Sequence, residues 1–418
     1  MATTTQPTVA EVCIAARAAS RRLARLDSAA KDALLHAIAD DLVARTETIL
    51  EANALDMAAG REAGLSDALL DRLRLDEGRV AAIAGQVRAV AALPDPVGEV
   101  IDGHRLPNGL ELRKERVPLG VVAVVYEARP NVTIDAAALC LKSGNAIVLR
   151  GSSSAAHSNA ALAAVAAAHA PDGAVGLVEG GRDALAELAR QDGLVDLIIP
   201  RGGEGLKAAL REVATVPVIY AASGNCHVFV DAGADLDAAE RIVLNAKTQR
   251  PGVCNAVETL LVHAEAAPAF LPRVLRSLRD AGVELRVDGR TRALAGDQAP
   301  DLHDATDADW DEEFLALVLA VGVVDSVEEA IEHINVHGSG HSEAIVTGAA
   351  GSARAFRLGV DAACVYVNAS TRFTDGGEFG MGAEIGISTQ KLHARGPIGL
   401  RELCTTKYVV EGDGHVRR

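Results

Sequence analysis

Cys254 stands in the run Gln249-Arg-Pro-Gly-Val-Cys254-Asn-Ala. A cysteine attacks carbonyl carbon as its thiolate, and a nearby cation favours that form. Arg250, close by in the sequence, supplies such a cation. Residues 236–247 carry Leu236, Ile242, Val243 and Ala246 at roughly helical spacing, and Pro251-Gly252 ends the helix they predict. Residues 256–262 are apolar and β-branched enough for a buried strand. Cys254 is therefore expected on a short helix-to-strand loop, where a backbone presents a side chain to a cleft. A free cysteine is more often a small buried hydrophobe. The loop and its neighbours favour the nucleophile, whereas Cys13, Cys140, Cys226, Cys364 and Cys404 read as core residues.

The elements around this loop alternate. Strands are predicted at 120–126, 146–149, 175–178 and 194–199, with helices at 132–142, after 149 and at 205–213. Short apolar strands separated by helices form a doubly wound parallel sheet. Residues 216–230 predict two more strands. A second α/β unit over 237–365 has strands at 257–262, 317–324 and 344–347 and a helix at 327–334. Residues 8–100 read as successive helices with Asp27, Asp40 and Ser66 as caps. Pro107-Asn108-Gly109 predicts an exposed hairpin, and 407–410 a closing strand.

The dinucleotide fingerprint GxGxxG does not follow the first strand of the sheet. Arg201-Gly202-Gly203 instead lies between a strand and a helix, where glycine N–H groups can hold a phosphate. A tight turn without a ligand fits those residues equally well. Arg150 and Ser152 fall at another strand end, at the carboxyl edge where ligands sit. An arginine there suits the 2′-phosphate of NADP; a solvated loop arginine is the alternative. Arg129, Lys142, Lys247, Arg250 and Arg372 are cations near motif loops, each a partner for a phosphate or carboxylate or a surface charge. Asn368 and Ser370 either line the site or make a turn. His333, His337 and His341 recur every fourth residue, but Gly338 and Gly340 break the helix that would align them as metal ligands, so no metal is expected.

Forty-one basic and 57 acidic residues leave a net charge of −16 over 418 residues. That balance argues against nucleic acid or an anionic membrane as partner, and requires a local cation cluster for an anionic substrate. The six cysteines contain no CxxC pair, the start lacks a secretory pattern, and the Ala-rich run 155–170 reads as a buried helix. A cytoplasmic protein is expected.

Five segments occur in an order that resembles the γ-glutamyl phosphate reductase family of the aldehyde dehydrogenase superfamily. They are Val117-Pro-Leu-Gly-Val-Val-Ala-Val-Val-Tyr-Glu-Ala-Arg-Pro-Asn131, Pro200-Arg-Gly-Gly203, the Cys254 run, His337-Gly-Ser-Gly-His-Ser-Glu343 and Phe379-Gly-Met-Gly-Ala-Glu-Ile-Gly-Ile-Ser388. The resemblance spans nearly the whole chain. It implies an aldehyde-dehydrogenase-like α/β fold with a doubly wound NADPH domain over 1–101 and 117–236 and a catalytic domain over 237–365. A small β oligomerisation element over 102–116 and 387–418 is implied too, with 366–386 returning to the cofactor domain. It also implies a homodimer or homotetramer, association with glutamate 5-kinase, and reduction of L-glutamyl 5-phosphate by NADPH. The product would be L-glutamate 5-semialdehyde, in the second step of proline biosynthesis, with phosphate leaving through a thioester on Cys254.

Carried over by position, Asn131 helps form the oxyanion hole, Arg150 faces the adenosine ribose and Glu313 holds the nicotinamide ribose. Two departures stand out. Oxidising relatives carry a Glu-Leu-Gly-Gly glutamate that activates water, and 220–225 here has no carboxylate. Without a general base, hydrolysis of a thioester is slow. The superfamily's Gly-Pro is also missing after Phe314. The rival readings are an aldehyde oxidiser, a CoA-acylating dehydrogenase and a catalytically silent scaffold.

Overall fold

The computed structural model describes residues 7–296 and 301–417. These fall into two compact units. The first comprises the described residues up to 221 with 380–386 and those from 398 onward; the second comprises 222–379 and 387–397.

In the first unit the helices begin where the sequence places acceptors. Thr8 and Glu11 form a reciprocal capping box on Val9–Leu23, Asp27 caps Ser28–Ala44 and Ser66 caps Asp67–Leu73. Asp40, expected as a cap, lies inside the second of these helices and pairs with Arg88 at 2.7 Å. The hairpin Val100–Arg105 (β1) and Glu111–Pro118 (β2) turns through Gly109 at φ 92°, a conformation that favours glycine. The closing strand Cys404–Glu411 pairs antiparallel along β2, from Cys404 opposite Pro118 to Glu411 opposite Glu111.

Val121–Tyr126 (β3) is buried at every residue, as an apolar run covered on both faces must be. It lies inside a parallel sheet with Ala146–Gly151 (β4), Val175–Leu177 (β5) and Leu197–Arg201 (β6), in the order β5-β4-β3-β6. The expected parallel sheet is thus present. Its carboxyl edge gathers 127–131, Arg150 with Ser152, and Arg201 to Gly203.

Of the two strands expected over 216–230, the first is only a bridge between Val218 and Ile198. The second, Cys226–Val230 (β7), belongs to the other unit. There it joins Val257–His263 (β8), Glu284–Val287 (β9), His303–Asp304 (β10), Val318–Val324 (β11), Ser342–Val346 (β12) and Cys364–Val367 (β13). The order is β10-β9-β11-β8-β7-β12-β13, parallel throughout. This pairing of β7 moves the division from the expected 236 to 221. The expected return segment 366–386 and the expected element 387–418 are each split between the two units for a similar reason. Residues 366–379 run on from β13, and Ile387–Ser388 pairs with Gly396–Pro397 in the second unit. No helix among the described residues is long and apolar enough to cross a membrane.

The second unit's core packs Val243 and Ala246 of helix Leu236–Thr248 against Val257 and Leu260 of β8. Lys247, in the last turn of the helix, pairs with Glu258 near the start of β8, and both side chains are wholly buried. The pair closes the loop that carries Cys254. Burial pushes the Glu258 carboxyl up to about 7 and the Lys247 ammonium down, each against the pull of its partner. Removing one partner strands the other without compensation. Lys247→Ala is therefore expected to lose about 3–5 kcal/mol in urea unfolding, and Lys247→Met with Glu258→Leu clearly less. Equal losses in the single and double variants would contradict this role.

Candidate active site

In the second unit, Cys254 lies in the turn between helix Leu236–Thr248 and β8 and is half-buried; the other five cysteines are buried. The loop is held by its neighbour in sequence. Asn255 donates through Nδ2 to the carbonyl of Thr374 at 2.9 Å, and its own carbonyl accepts from Thr371 Oγ1 at 2.7 Å. Cys226 Sγ donates to the Cys254 carbonyl at 3.2 Å. Gly224 crosses directly behind: a Cβ built on it would sit 1.4 Å from that carbonyl oxygen. Only glycine permits this approach.

Gly224 N in turn donates to Glu313 Oε1 at 2.6 Å. A carboxylate therefore stands beside the stretch 222–225, although the stretch itself has none. Leu315, two residues on, holds a left-handed φ of 52° while its N–H donates to Glu258 at 3.3 Å. Strained backbone of this kind persists where surrounding contacts over-determine it. Asn225 donates to the carbonyls of Trp310 at 2.6 Å and His337 at 2.9 Å, which brings the histidine-glycine motif beside the Cys254 loop.

Arg372, on the short turn Thr371–Phe373, is a guanidinium close enough for its charge to interact with the Cys254 sulfur. Burial and then the facing Arg250 lower its pKa, while Cys254 raises it, and its Nε donates to Gln249 Oε1 at 2.9 Å. Arg250 is exposed. Proximity in sequence pointed to Arg250; Arg372 lies far along the chain and only the fold brings it in.

Asn368 is taken up by the Thr347 backbone. At φ 57° it accepts from Thr347 N at 2.8 Å and donates to Thr347 O at 2.9 Å, clamping the ends of β12 and β13. The substrate contact expected of it gives way to a turn. Helix Val327–His337 ends at Gly338, with the rings of His333 and His337 4.6 Å apart and His341 buried beyond the break. Among the described residues no three His, Cys, Asp or Glu side chains are arranged to hold a metal.

In the first unit, Asn131 opens helix Asn131–Lys142 directly after Pro130, and its Nδ2 donates to Asp135 Oδ2 at 2.9 Å. Arg129 just before it is exposed. Ala128 has a φ of 30°, and its N–H donates to Ser152 Oγ at 3.1 Å, tying the end of β3 to that of β4. Arg150 reaches the carbonyls of Gly180 at 3.2 Å and Gly181 at 3.0 Å, and its Nε is buried with no partner among the described residues. A cavity of 580 Å³ opens here, lined by Gly151, Ser152, His157, Val178, Glu179 and Gly181 among others.

Two groups expected to meet a ligand have partners within this unit. The Arg201-Gly202-Gly203 turn is filled by a carboxylate: Gly203 N donates to Glu127 Oε2 at 2.9 Å, and a Cβ on Gly202 would lie 2.7 Å from that oxygen. The backbone donor expected to hold a phosphate is thus engaged by a side chain. Lys142 is 1% exposed and is taken up by Asp32 and the carbonyl of Ala91, within helix packing rather than on a ligand loop.

Residues 1–293 match the family described as the aldehyde dehydrogenase family. The chain is 57% identical over 415 residues to a γ-glutamyl phosphate reductase of Thermobifida fusca, covering 98% of each. A crystal structure of γ-glutamyl phosphate reductase from Thermotoga maritima superposes with a TM-score of 0.95 at 46% identity, covering 99% of this chain and 100% of that one. An acetylating aldehyde dehydrogenase of Geobacillus thermoglucosidasius shares the fold, with a TM-score of 0.66 at 18% identity.

The tight approach at Gly224 makes a sharp prediction. Gly224→Ala should fold, by circular dichroism, yet lose about 10²-fold or more in kcat, because its methyl group displaces the Cys254 backbone. Full activity in that variant would mean that the loop position is not set by this contact.

Proposed function

The chain belongs to the aldehyde dehydrogenase family, and from that premise we propose that it reduces L-glutamyl 5-phosphate to L-glutamate 5-semialdehyde with NADPH, releasing phosphate. Family membership makes it an oxidoreductase that uses a nicotinamide cofactor. The substrate comes from the printed name of relatives matched over almost their whole length, and the observation that carries it is this 57% identity with Cys254 intact.

Cys254 attacks the carbonyl carbon of the acyl phosphate, and phosphate leaves to give a thioester. Asn131 and the backbone N–H of Cys254 donate to the developing oxyanion, each such donor being worth about 3 kcal/mol. Arg372 and Arg250 flank the loop as cations for the departing phosphate, and the exposed Arg129 is a further candidate for the substrate's anionic groups. Bound NADPH supplies the hydride that reduces the thioester carbonyl. The orphan Arg150 Nε and the hydroxyl of Ser152 beside the 580 Å³ cavity fit the phosphorylated adenosine end of that cofactor. Glu313 is assigned the nicotinamide ribose.

A thioester must outlast water for this cycle to work. The stretch 220–225 lacks a carboxylate, and the Glu313 oxygen beside it is engaged by Gly224 N–H. The exposed apolar residues of the hairpin sheet, Val100, Ile101, Tyr408 and Val410, suit a homo-oligomer. A cytoplasmic place in proline synthesis, with glutamate 5-kinase alongside, completes the reading.

Protein mixed with glutamate 5-semialdehyde and NADP in phosphate-free buffer should acquire a glutamyl adduct on Cys254 by intact-protein mass spectrometry. Added phosphate should discharge it, and Cys254→Ala should form none. An adduct that disappears at once without phosphate would contradict the proposed slow hydrolysis.

A further inference from the structure

Asp135 lies one helical turn beyond Asn131, and its Oδ2 accepts from Asn131 Nδ2 at 2.9 Å. Residues four apart share a helix face, so the two groups point the same way. An amide nitrogen carries two hydrogens. Asp135 takes one and leaves the other for the oxyanion assigned to Asn131. The remaining carboxyl oxygen, Oδ1, is buried and meets no donor among the described residues. Buried carboxylate oxygens are nearly always satisfied, so an empty one calls for a partner. Burial pushes this carboxyl up to about 6, against the opposing effects of the Asn131 bond and the Arg201 charge. The group therefore sits in a setting that a further cation would relieve.

We infer that Asp135 binds the α-ammonium of the acyl substrate, with Oδ1 as the acceptor. The assignment rests on the acyl-phosphate reading above. That substrate carries two anionic groups and one cation, and the cation needs a carboxylate. Glu127, another carboxylate at this sheet edge, is engaged by Gly203 N–H. Four single bonds separate the reacting carbonyl carbon from the amino nitrogen, a span of about 5 Å when extended. An ammonium at Oδ1 is within that reach of a carbonyl oxygen held by Asn131. The charge pattern adds a reason. A bare carboxylate beside an oxyanion opposes its formation, whereas a carboxylate neutralised by the substrate's own ammonium does not. A substrate without the amino group would then lose both the contact and the neutralisation.

The test is phosphate-dependent NADP reduction with L-glutamate 5-semialdehyde and with 5-oxopentanoate, the same chain lacking the amino group. The wild-type protein should favour the amino substrate by roughly 10²-fold or more in kcat/KM, as expected when a buried polar group is left unpaired. Asp135→Asn keeps the volume and an acceptor for Asn131. It should bring the two substrates within roughly threefold of each other, through loss on the amino substrate while 5-oxopentanoate turnover holds. An equal fall on both substrates would mean that Asp135 only positions Asn131 or supports the fold, and would overturn the assignment. A wild-type ratio near one would overturn it without any variant. No phosphate-dependent activity on either substrate would instead sink the parent reading, and this assignment with it.

Discussion

The buried pair of Lys247 and Glu258 is the constraint on which the presentation of Cys254 depends. Helix Leu236–Thr248 and strand β8 would otherwise be joined by a loop free to shift, and a nucleophile needs its place fixed closely. Both charged groups are removed from water, and burial opposes the charged form of each. Such a pair adds little net stability, yet neither member is tolerable alone. Its effect is geometric: it ties the last turn of the helix to the start of the strand. Asn255 then ties the middle of the loop to 371–374, and Gly224 supplies the flat backbone behind it. The same Glu258 receives the Leu315 N–H, so the clamp also fixes the segment that carries Glu313.

Carboxylates govern this molecule more than its cations do. With a net charge of −16, the chain must keep acidic groups away from any anionic ligand or occupy them. Glu127 is engaged by Gly203 N–H, Glu313 by Gly224 N–H and Glu258 by Lys247. Backbone donors thereby hold negative charge in loops that are otherwise rich in glycine. The turn after β6 illustrates the consequence: its composition suits a phosphate, but the donor is already engaged by a side chain.

Much of this was legible in the amino-acid order. Strand β3 was apolar along its full length and β4 and β6 were apolar up to the arginines near their carboxyl ends, and the helix, break and strand around Cys254 appeared in the residue pattern. The division at 221 was not, because whether β7 adds to the edge of the first sheet beside β6 or pairs with β8 and β12 is decided by tertiary contacts that local pattern does not encode. Strands β9 and β10 are short and carry charged residues, so they gave no apolar signal. Arg372 escaped assignment to the sulfur since its approach depends on the turn at Thr371–Phe373. Lys142 and Asn368 misled for a related reason: polar type near a motif suggested a ligand contact, and partners distant in sequence, Asp32 and Ala91 for the first and Thr347 for the second, claim both side chains.

On the proposed function, phosphate and not water completes the cycle at Cys254. The direct measurement is the initial rate of NADP reduction by glutamate 5-semialdehyde across a phosphate titration that starts from none. The rate should be near zero without phosphate and rise to saturation as phosphate is added. A rate independent of phosphate would contradict that function and would make the protein an ordinary aldehyde oxidiser.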